Sequence, residues 1–314
     1  MVICTRNRAD DLRRTLASVE AQHVPEGTGV VVVDASDPEA AALNRVLVER
    51  LSGEAVYLPF PGTPSLARQR NYAVARLPET VSLVHFLDDD VTLMPGYFEH
   101  LVAALTNDPE AGGAGGVIVS SPGLAAAPGG RLRSVLHYLF CLDAPRPGRV
   151  LRSGRISGYD LPERSEPFPT QWLSGCASTY RRRLLLEHPV DERLEGYSFM
   201  EDRDFSYRIA RRHRLLAVPA ARLVHHQSPL NRHAARRMAM EEVVHRYWFV
   251  RKNVPGLLGR LCYGWSLVGA LLAIASSRRP YRREALAGFA EGLQRLARSD
   301  HPLLRDAVIE KVKW

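Results

Sequence analysis

The sequence predicts an α/β fold, with a mostly parallel central sheet flanked by helices and a helical C-terminal extension. Three observations lead there. Short apolar runs alternate with stretches of helical period from Met1 to Asp90. Each run ends in polar or acidic residues, as expected where ligands meet the carboxyl ends of parallel strands. The third run ends abruptly on three consecutive aspartates, Asp88-Asp89-Asp90.

The elements follow in order. Met1–Cys4 reads as a strand leading into Thr5-Arg6-Asn7-Arg8. A helix follows, with Leu12, Leu16 and Val19 at helical spacing and Asp10 or Asp11 as its cap. Val30–Val33 is a second strand, ending in Asp34-Ala35-Ser36-Asp37. A Gly/Pro loop, Pro61 to Ser65, opens a basic helix from Leu66 to Ala73. Val81–Leu87 is a buried strand, being short, β-branched and aromatic.

Three adjacent carboxylates repel one another and persist most easily beside a cation. Oxygen ligands suit a hard ion such as Mg²⁺ or Mn²⁺. Alternate residues of an extended segment point the same way, so Asp88 and Asp90 can address one ion while Asp89 points away. A solvated acidic turn or a helix cap is the plainer alternative.

Further along, Gly113–Val119 reads as a strand. Segment 143–169 is a long basic loop, either a flap over donor or acceptor or a disordered stretch. Glu201-Asp202 opens a helix running to Arg212, in which Arg208 can pair with Asp204 at i,i+4. A carboxylate at a helix N-terminus is held ionised by the helix field. An apolar run, Leu215 to Val224, precedes His225-His226. Adjacent strand residues face opposite sides, so one of the two histidines can reach a site. Residues 229–254 suggest a long helix, and 284–298 an amphipathic one with Leu286, Phe289, Leu293 and Leu296 on one face.

At 314 residues and 46% hydrophobic composition the chain can bury a substantial core. Lys+Arg number 42 against 34 Asp+Glu, a net charge of +8. A basic surface suits nucleotides, nucleic acid or anionic lipid equally. No aromatic-basic recognition motif or zinc-finger spacing occurs, which argues against nucleic-acid binding. The four cysteines, Cys4, Cys141, Cys176 and Cys262, are dispersed and set in apolar flanks, as free thiols of a reducing compartment are. With no secretory segment ahead of the first strand, the expected location is cytoplasmic, or peripheral on the cytoplasmic face of the membrane.

Six stretches, in order, resemble the inverting family 2 glycosyltransferases of the GT-A fold, and bacterial rhamnosyl and glycosyl transferases of cell-surface glycan assembly among them. They are VICTRNR at 2–8, VVVDASD at 31–37, SLARQRNYA at 65–73, HFLDDDVTLMPGYFE at 85–99, WLSGCASTYRR at 172–182 and MEDRDFSYR at 200–208. The resemblance covers roughly residues 1–255. It implies a GT-A, Rossmann-like catalytic domain over 1–230, with a nucleotide-binding part at 1–120 and an acceptor part at 121–230. A helical region, 231–314, would follow.

The resemblance also implies roles. Asp34 would bond the nucleobase, with Thr5 and Arg6 lining the same crevice. Arg70 and Asn71 would close over base and ribose. Asp88 would lie near the ribose, and Asp90 would hold the metal, joined by one histidine, for which His225 is preferred over His226. Trp172 and Gly175 would face the acceptor, Trp172 stacking on a sugar or serving as a core tryptophan. Asp202 would be the base, with Glu201 orienting the acceptor. The implied activity is metal-dependent transfer of a hexose or deoxyhexose, with inversion. The donor is a nucleoside-diphosphate sugar, the cofactor Mg²⁺ or Mn²⁺, and the acceptor a hydroxyl of a glycan or lipid-linked glycan. The alternatives are a sugar-nucleotide nucleotidyltransferase, which the missing glycine loop after the first strand opposes, and a non-catalytic sugar- or lipid-binding scaffold.

Leu257–Ala275 is an apolar run interrupted by glycines and Arg260. Arg251, Lys252, Arg278, Arg279, Arg282 and Arg283 flank it. Basic flanks on both sides fit an interfacial anchor on an anionic membrane surface. A buried helix or homo-oligomer interface and a membrane span are the other readings.

Overall fold

The computed structural model of the chain describes residues 1–119, 131–161, 163–227 and 234–305. The chain divides into two compact units, Met1–Ala125 with Tyr159–Asn231, and Ala126–Gly158 with Arg232–Trp314. The expected boundary between 230 and 231 lies outside the described residues, as does the expected helical start at 229. The second unit also takes in residues 126–158.

The first unit is built on a sheet whose parallel half comprises β1 (Val2–Thr5), β2 (Val30–Asp34), β3 (Ala55–Pro59) and β4 (Leu83–Asp88), in the order β3-β2-β1-β4. The register pairs Thr5 with Asp34 and Cys4 with Asp88, so three polar strand ends lie side by side. Beyond β4 the sheet is mixed. β5 (Val91–Leu93), β6 (Ala111–Ile118), β7 (Phe168–Thr170), β8 (Ala177–Arg181) and β9 (Arg214–His225) complete it. β8 runs antiparallel to both β4 and β6, and β9 runs parallel to β6 and antiparallel to β5 and β7. Glycines let β6 approach its neighbours: a Cβ on Gly113 would lie 2.5 Å from the Thr179 carbonyl.

Both faces of this sheet are buried, which explains its continuous apolar strands. Ile3, Val32 and Leu87 join one core with Leu12 and Leu16 of α1 (Ala9–Glu20). Val2, Val33 and Phe86 join the other, with Ala67 and Ala73 of α3 (Leu66–Val74). Between these helices in the chain lies α2 (Pro38–Glu49). Asp10 and Asp11 do not cap α1. They lie inside its first turn and pair with Arg13 and Arg14, and Arg8 occupies the cap. α4 (Tyr97–Asn107) precedes β6, α6 (Arg182–Glu187) follows β8, and α7 (Glu201–Ala210) stops two residues short of the expected Arg212. The Asp204–Arg208 pair within α7 forms as expected, at 3.1 Å.

The second unit contains α5 (Arg131–Leu139), α8 (Ala235–Asn253), α9 (Leu257–Ala275), α10 (Arg282–Arg298) and α11 (Pro302–Arg305). The expected apolar face of α10 is only partly inward. Phe289 is buried against Val243 and Ala270, but Leu293 is exposed. Gly288 and Gly292 make the contact instead, because Cβ atoms there would collide with Arg236 and Val243 of α8. Between α5 and β7, residues 148–158 are ordered by backbone bonds from Gly148 to Gly158, Ser157 to Arg149 and Leu151 to Arg155.

Candidate active site

The carboxyl ends of β1, β2 and β4 bring the candidate residues together, at the edge where open α/β sheets bind ligands. Asp34 ends β2 and is buried. Its Oδ1 accepts from the Ser36 amide at 2.8 Å, and its Oδ2 from Asn44 Nδ2 at 2.8 Å and the Tyr57 hydroxyl at 2.9 Å. These partners, invisible in the local motif, hold the carboxylate rigidly. Burial and that bond together raise the Tyr57 hydroxyl above its usual value.

The three aspartates separate into two roles. Asp89 turns inward and is fully buried, accepting from Thr5 Oγ1 at 2.6 Å and pairing with Arg8 at 2.7 Å. Burial pushes its carboxyl up to about 7, against the pull of Arg8 and Thr5. Thr5 therefore serves Asp89, while Arg6 is exposed at the same strand end. Asp88 and Asp90 turn the other way. With His225 they offer three ligand atoms, all within 4.8 Å of one another.

The topology explains why His225, not His226, lies beside the aspartates. β5 pairs with β9 in a register that sets Val91 opposite His225, so His225 arrives beside Asp90. Its Nε2 lies 3.1 Å from Asp90 Oδ1, whereas His226 bonds Thr92 Oγ1 at 2.8 Å. Burial opposes a charge on His225, but Asp90 and the buried Cys176 outweigh it and raise the imidazole to about 11. With the imidazole proton displaced by an ion, two carboxylate oxygens and one imidazole nitrogen would form a donor set that fits Mn²⁺ well and Mg²⁺ through its oxygens.

Arg8, the last residue of the T-R-N-R stretch, joins the site without a signal of its own in the motif. It also approaches Asp90, at 3.6 Å, and the acidic neighbours hold it charged despite partial burial. Its signal was position: it lies on the same loop as Arg6, facing an acidic strand end.

Arg70 is buried, and its guanidinium is shared three ways. It pairs with Glu201, donates to Asp88 Oδ1 at 3.2 Å and donates to the Gly175 carbonyl at 2.7 Å. It thus joins the aspartate side of the site to the expected acceptor side. Asn71 faces elsewhere: both ends of its amide hold residues 190–192, through Val190 and Glu192.

Glu201 and Asp202 occupy different environments at the start of α7. Glu201 is buried against Arg70, and burial pushes its carboxyl up to about 8 while Arg70 opposes that. A base of that strength would suit proton removal, but reach decides, and Glu201 is enclosed. Asp202 is partly exposed, with Oδ2 accepting from the Gly175 amide at 3.0 Å and Oδ1 from the Arg203 amide at 2.7 Å. Gly175 is confined: a Cβ would lie 3.0 Å from each of Arg70 Nη1, Asp202 Cβ and Glu201 Oε1. Trp172 is half-buried and tilts against Tyr159, centroids 4.8 Å apart.

A cavity of about 660 Å³ lies elsewhere on this unit, lined by Met1, Val30, Leu83 and His85 at the opposite ends of the strands. Its lining holds none of the aspartates, Arg70 or Asp202.

No curated protein matches the chain. Among solved structures it is similar to GalNAc-T7 with UDP, GalNAc and Mn²⁺, at 17% identity and a TM-score of 0.58, over 96% of this chain and 57% of that one. The chain thus spans little more than half of that relative. It is also similar to the mannosyltransferase PcManGT from Pyrobaculum calidifontis, in complex with GDP-Man and Mn²⁺, at 18% identity and a TM-score of 0.52, over 97% of this chain and 83% of that one. At such identities the likeness shows the fold, which is GT-A. The sequence profile of Glycosyl transferase family 2 matches residues 1–188, more than half of the chain. With the strand-end aspartates, the Arg70 junction and the α7 carboxylates in the same frame, the chain belongs to glycosyl transferase family 2.

Proposed function

We propose that this protein is a metal-dependent, inverting glycosyltransferase. It would move a sugar from a nucleoside-diphosphate sugar to a hydroxyl of a glycan or lipid-linked glycan. The observation that carries this reading is a division of labour among carboxylates. Asp202 is partly exposed at a helix N-terminus, while Asp88 and Asp90 cluster with His225 on the strand ends.

Asp202 is the base in this reading. The Gly175 and Arg203 amides orient it, and its exposure lets an acceptor hydroxyl reach it. Glu201 is enclosed with Arg70 and positions the turn rather than taking the proton. One accessible base fits a single in-line displacement, hence inversion. Asp88, Asp90 and His225 would hold Mg²⁺ or Mn²⁺. Such an ion supplies Lewis-acid stabilisation of the leaving diphosphate. Asp34 accepts three protein donors, and a carboxylate has about four acceptor positions, which leaves one for a nucleobase N–H. Thr5 braces Asp89 beneath this crevice, and Arg6 supplies a cation at its rim. Trp172 would stack on the acceptor sugar. The solved relatives carry UDP in one case and GDP-Man in the other, both with Mn²⁺, which supports a nucleoside-diphosphate donor without choosing the base.

Incubating the protein with a panel of nucleotide sugars and either ion, with mass-spectrometric detection, tests the reading. Nucleoside diphosphate should be released and EDTA should stop it. Release of pyrophosphate would indicate nucleotidyl transfer. No release from any donor would leave a binding scaffold. NMR of the product anomer decides inversion.

A further inference from the structure

α9 carries its largest apolar side chains outward. Its inward stripe is Gly259, Tyr263, Ser266, Gly269 and Ala270. Leu257, Leu261, Trp265 and Leu272 are exposed, Leu257 by 67%. Only 28% of its most apolar window is buried, although the helix is long and apolar enough to cross a membrane. α5, in the same unit, behaves alike: Leu132, Val135, Leu136 and Leu139 are exposed, Leu132 by 72%. The two elements are joined. Phe140 stacks on Trp265 with centroids 5.0 Å apart, and Trp265 Nε1 donates to the Leu139 carbonyl at 2.8 Å. Soluble monomers seldom expose apolar patches of such extent, and a partner is the usual reason.

Charge identifies the partner. From Arg251 to Arg283 there are seven Lys and Arg residues and no Asp or Glu. α5 adds the exposed Arg133 and likewise carries no acid. A second copy of this face would bring like charges together, whereas an anionic bilayer complements them. We propose that α5 and α9 form one surface that docks in the plane of an anionic lipid bilayer. The leucines enter the acyl boundary, Trp265 sits at headgroup level and the arginines meet lipid phosphates. Arg260, exposed within α9, fits an in-plane helix, because a charge at the bilayer centre is costly. α5 is the new element, since its apolar face is not evident from hydropathy around α9.

Co-sedimentation with phosphatidylglycerol and phosphatidylcholine vesicles tests this independently of glycosyl transfer. The intact protein should pellet with phosphatidylglycerol, not with phosphatidylcholine, and be released by high salt. Val135→Glu with Leu139→Glu on α5, and separately Leu261→Glu with Leu272→Glu on α9, should each weaken binding at least about tenfold. All four positions are exposed or face outward, so melting curves should be unchanged. Brominated lipid should quench tryptophan fluorescence, and Trp265→Phe should remove that quenching. Several results would overturn the proposal: no binding to phosphatidylglycerol, loss with the α9 pair but not the α5 pair, or release only by detergent. Light scattering that shows a dimer dispersed by the same substitutions, without lipid binding, would assign the face to a second copy instead.

Discussion

The Gly175 amide donates to Asp202 Oδ2 at 3.0 Å while the Gly175 carbonyl accepts from Arg70 at 2.7 Å. One residue therefore sets the Asp202 carboxylate and the buried guanidinium relative to each other. Gly175→Ala would push a methyl against Arg70, Asp202 and Glu201 together, each 3.0 Å from the added carbon. Misplacement of a base by even a fraction of an ångström is costly, so turnover should fall about 10–10²-fold. Steady-state kinetics beside thermal melting would test this, and a large loss of melting temperature with normal turnover would contradict it.

Asp202→Asn and Glu201→Gln should fail differently. If Asp202 is the base as proposed, Asp202→Asn should lower turnover about 10²–10⁴-fold with donor affinity nearly unchanged. Glu201→Gln weakens the hydrogen bond to buried Arg70, which keeps Asp88, and should chiefly destabilise, by about 1–3 kcal/mol. Denaturant unfolding of both variants, set beside their rates, separates the roles. Normal turnover in Asp202→Asn with loss in Glu201→Gln would reverse the assignment.

Asp90→Asn and His225→Ala should weaken Mn²⁺ binding, by about 10–100-fold for each, because a neutral amide or a lost imidazole is a poorer donor set. Calorimetric titration of Mn²⁺ in the presence of UDP or GDP measures it. Arg8→Ala should act otherwise. It leaves Asp89 buried without its cation, so the expected loss is stability, about 3 kcal/mol.

His85 predicts an acid weakness. It is buried with Nδ1 2.8 Å from Thr179 Oγ1, and burial lowers its imidazole from 6.5 to about 3. The folded state thus binds this proton less well than the unfolded chain. The stabilising difference is complete above about pH 6.5 and is lost as pH falls toward 3, amounting to a few kcal/mol at most. Melting temperatures of the native protein should drop across that window, and His85→Gln should flatten the slope. An identical slope in both proteins would exclude His85 as the cause.

The strand–helix alternation, the acidic strand end and the α7 carboxylates were all legible in the sequence. Each is local: hydrophobic period, turn residues and an i,i+4 pair are set by neighbours in the chain. The separation of Asp89 from Asp88 and Asp90 was legible too, because side chains alternate in extended backbone. Other features depended on contacts between distant segments. Asn44 and Tyr57 gather on Asp34 through the β2–β3 pairing and the packing of α2. His225 rather than His226 reaches Asp90 because of the β5–β9 register. Arg70 turns inward to Glu201, 131 positions away, and Asn71 turns to the 190–192 loop, neither of which the R-N dipeptide could indicate. The mixed half of the sheet and the outward leucines of α5 and α9 belong to the same class. Burial is a property of the folded neighbourhood, so an arginine, an asparagine or a leucine takes its role from whatever the tertiary structure places beside it.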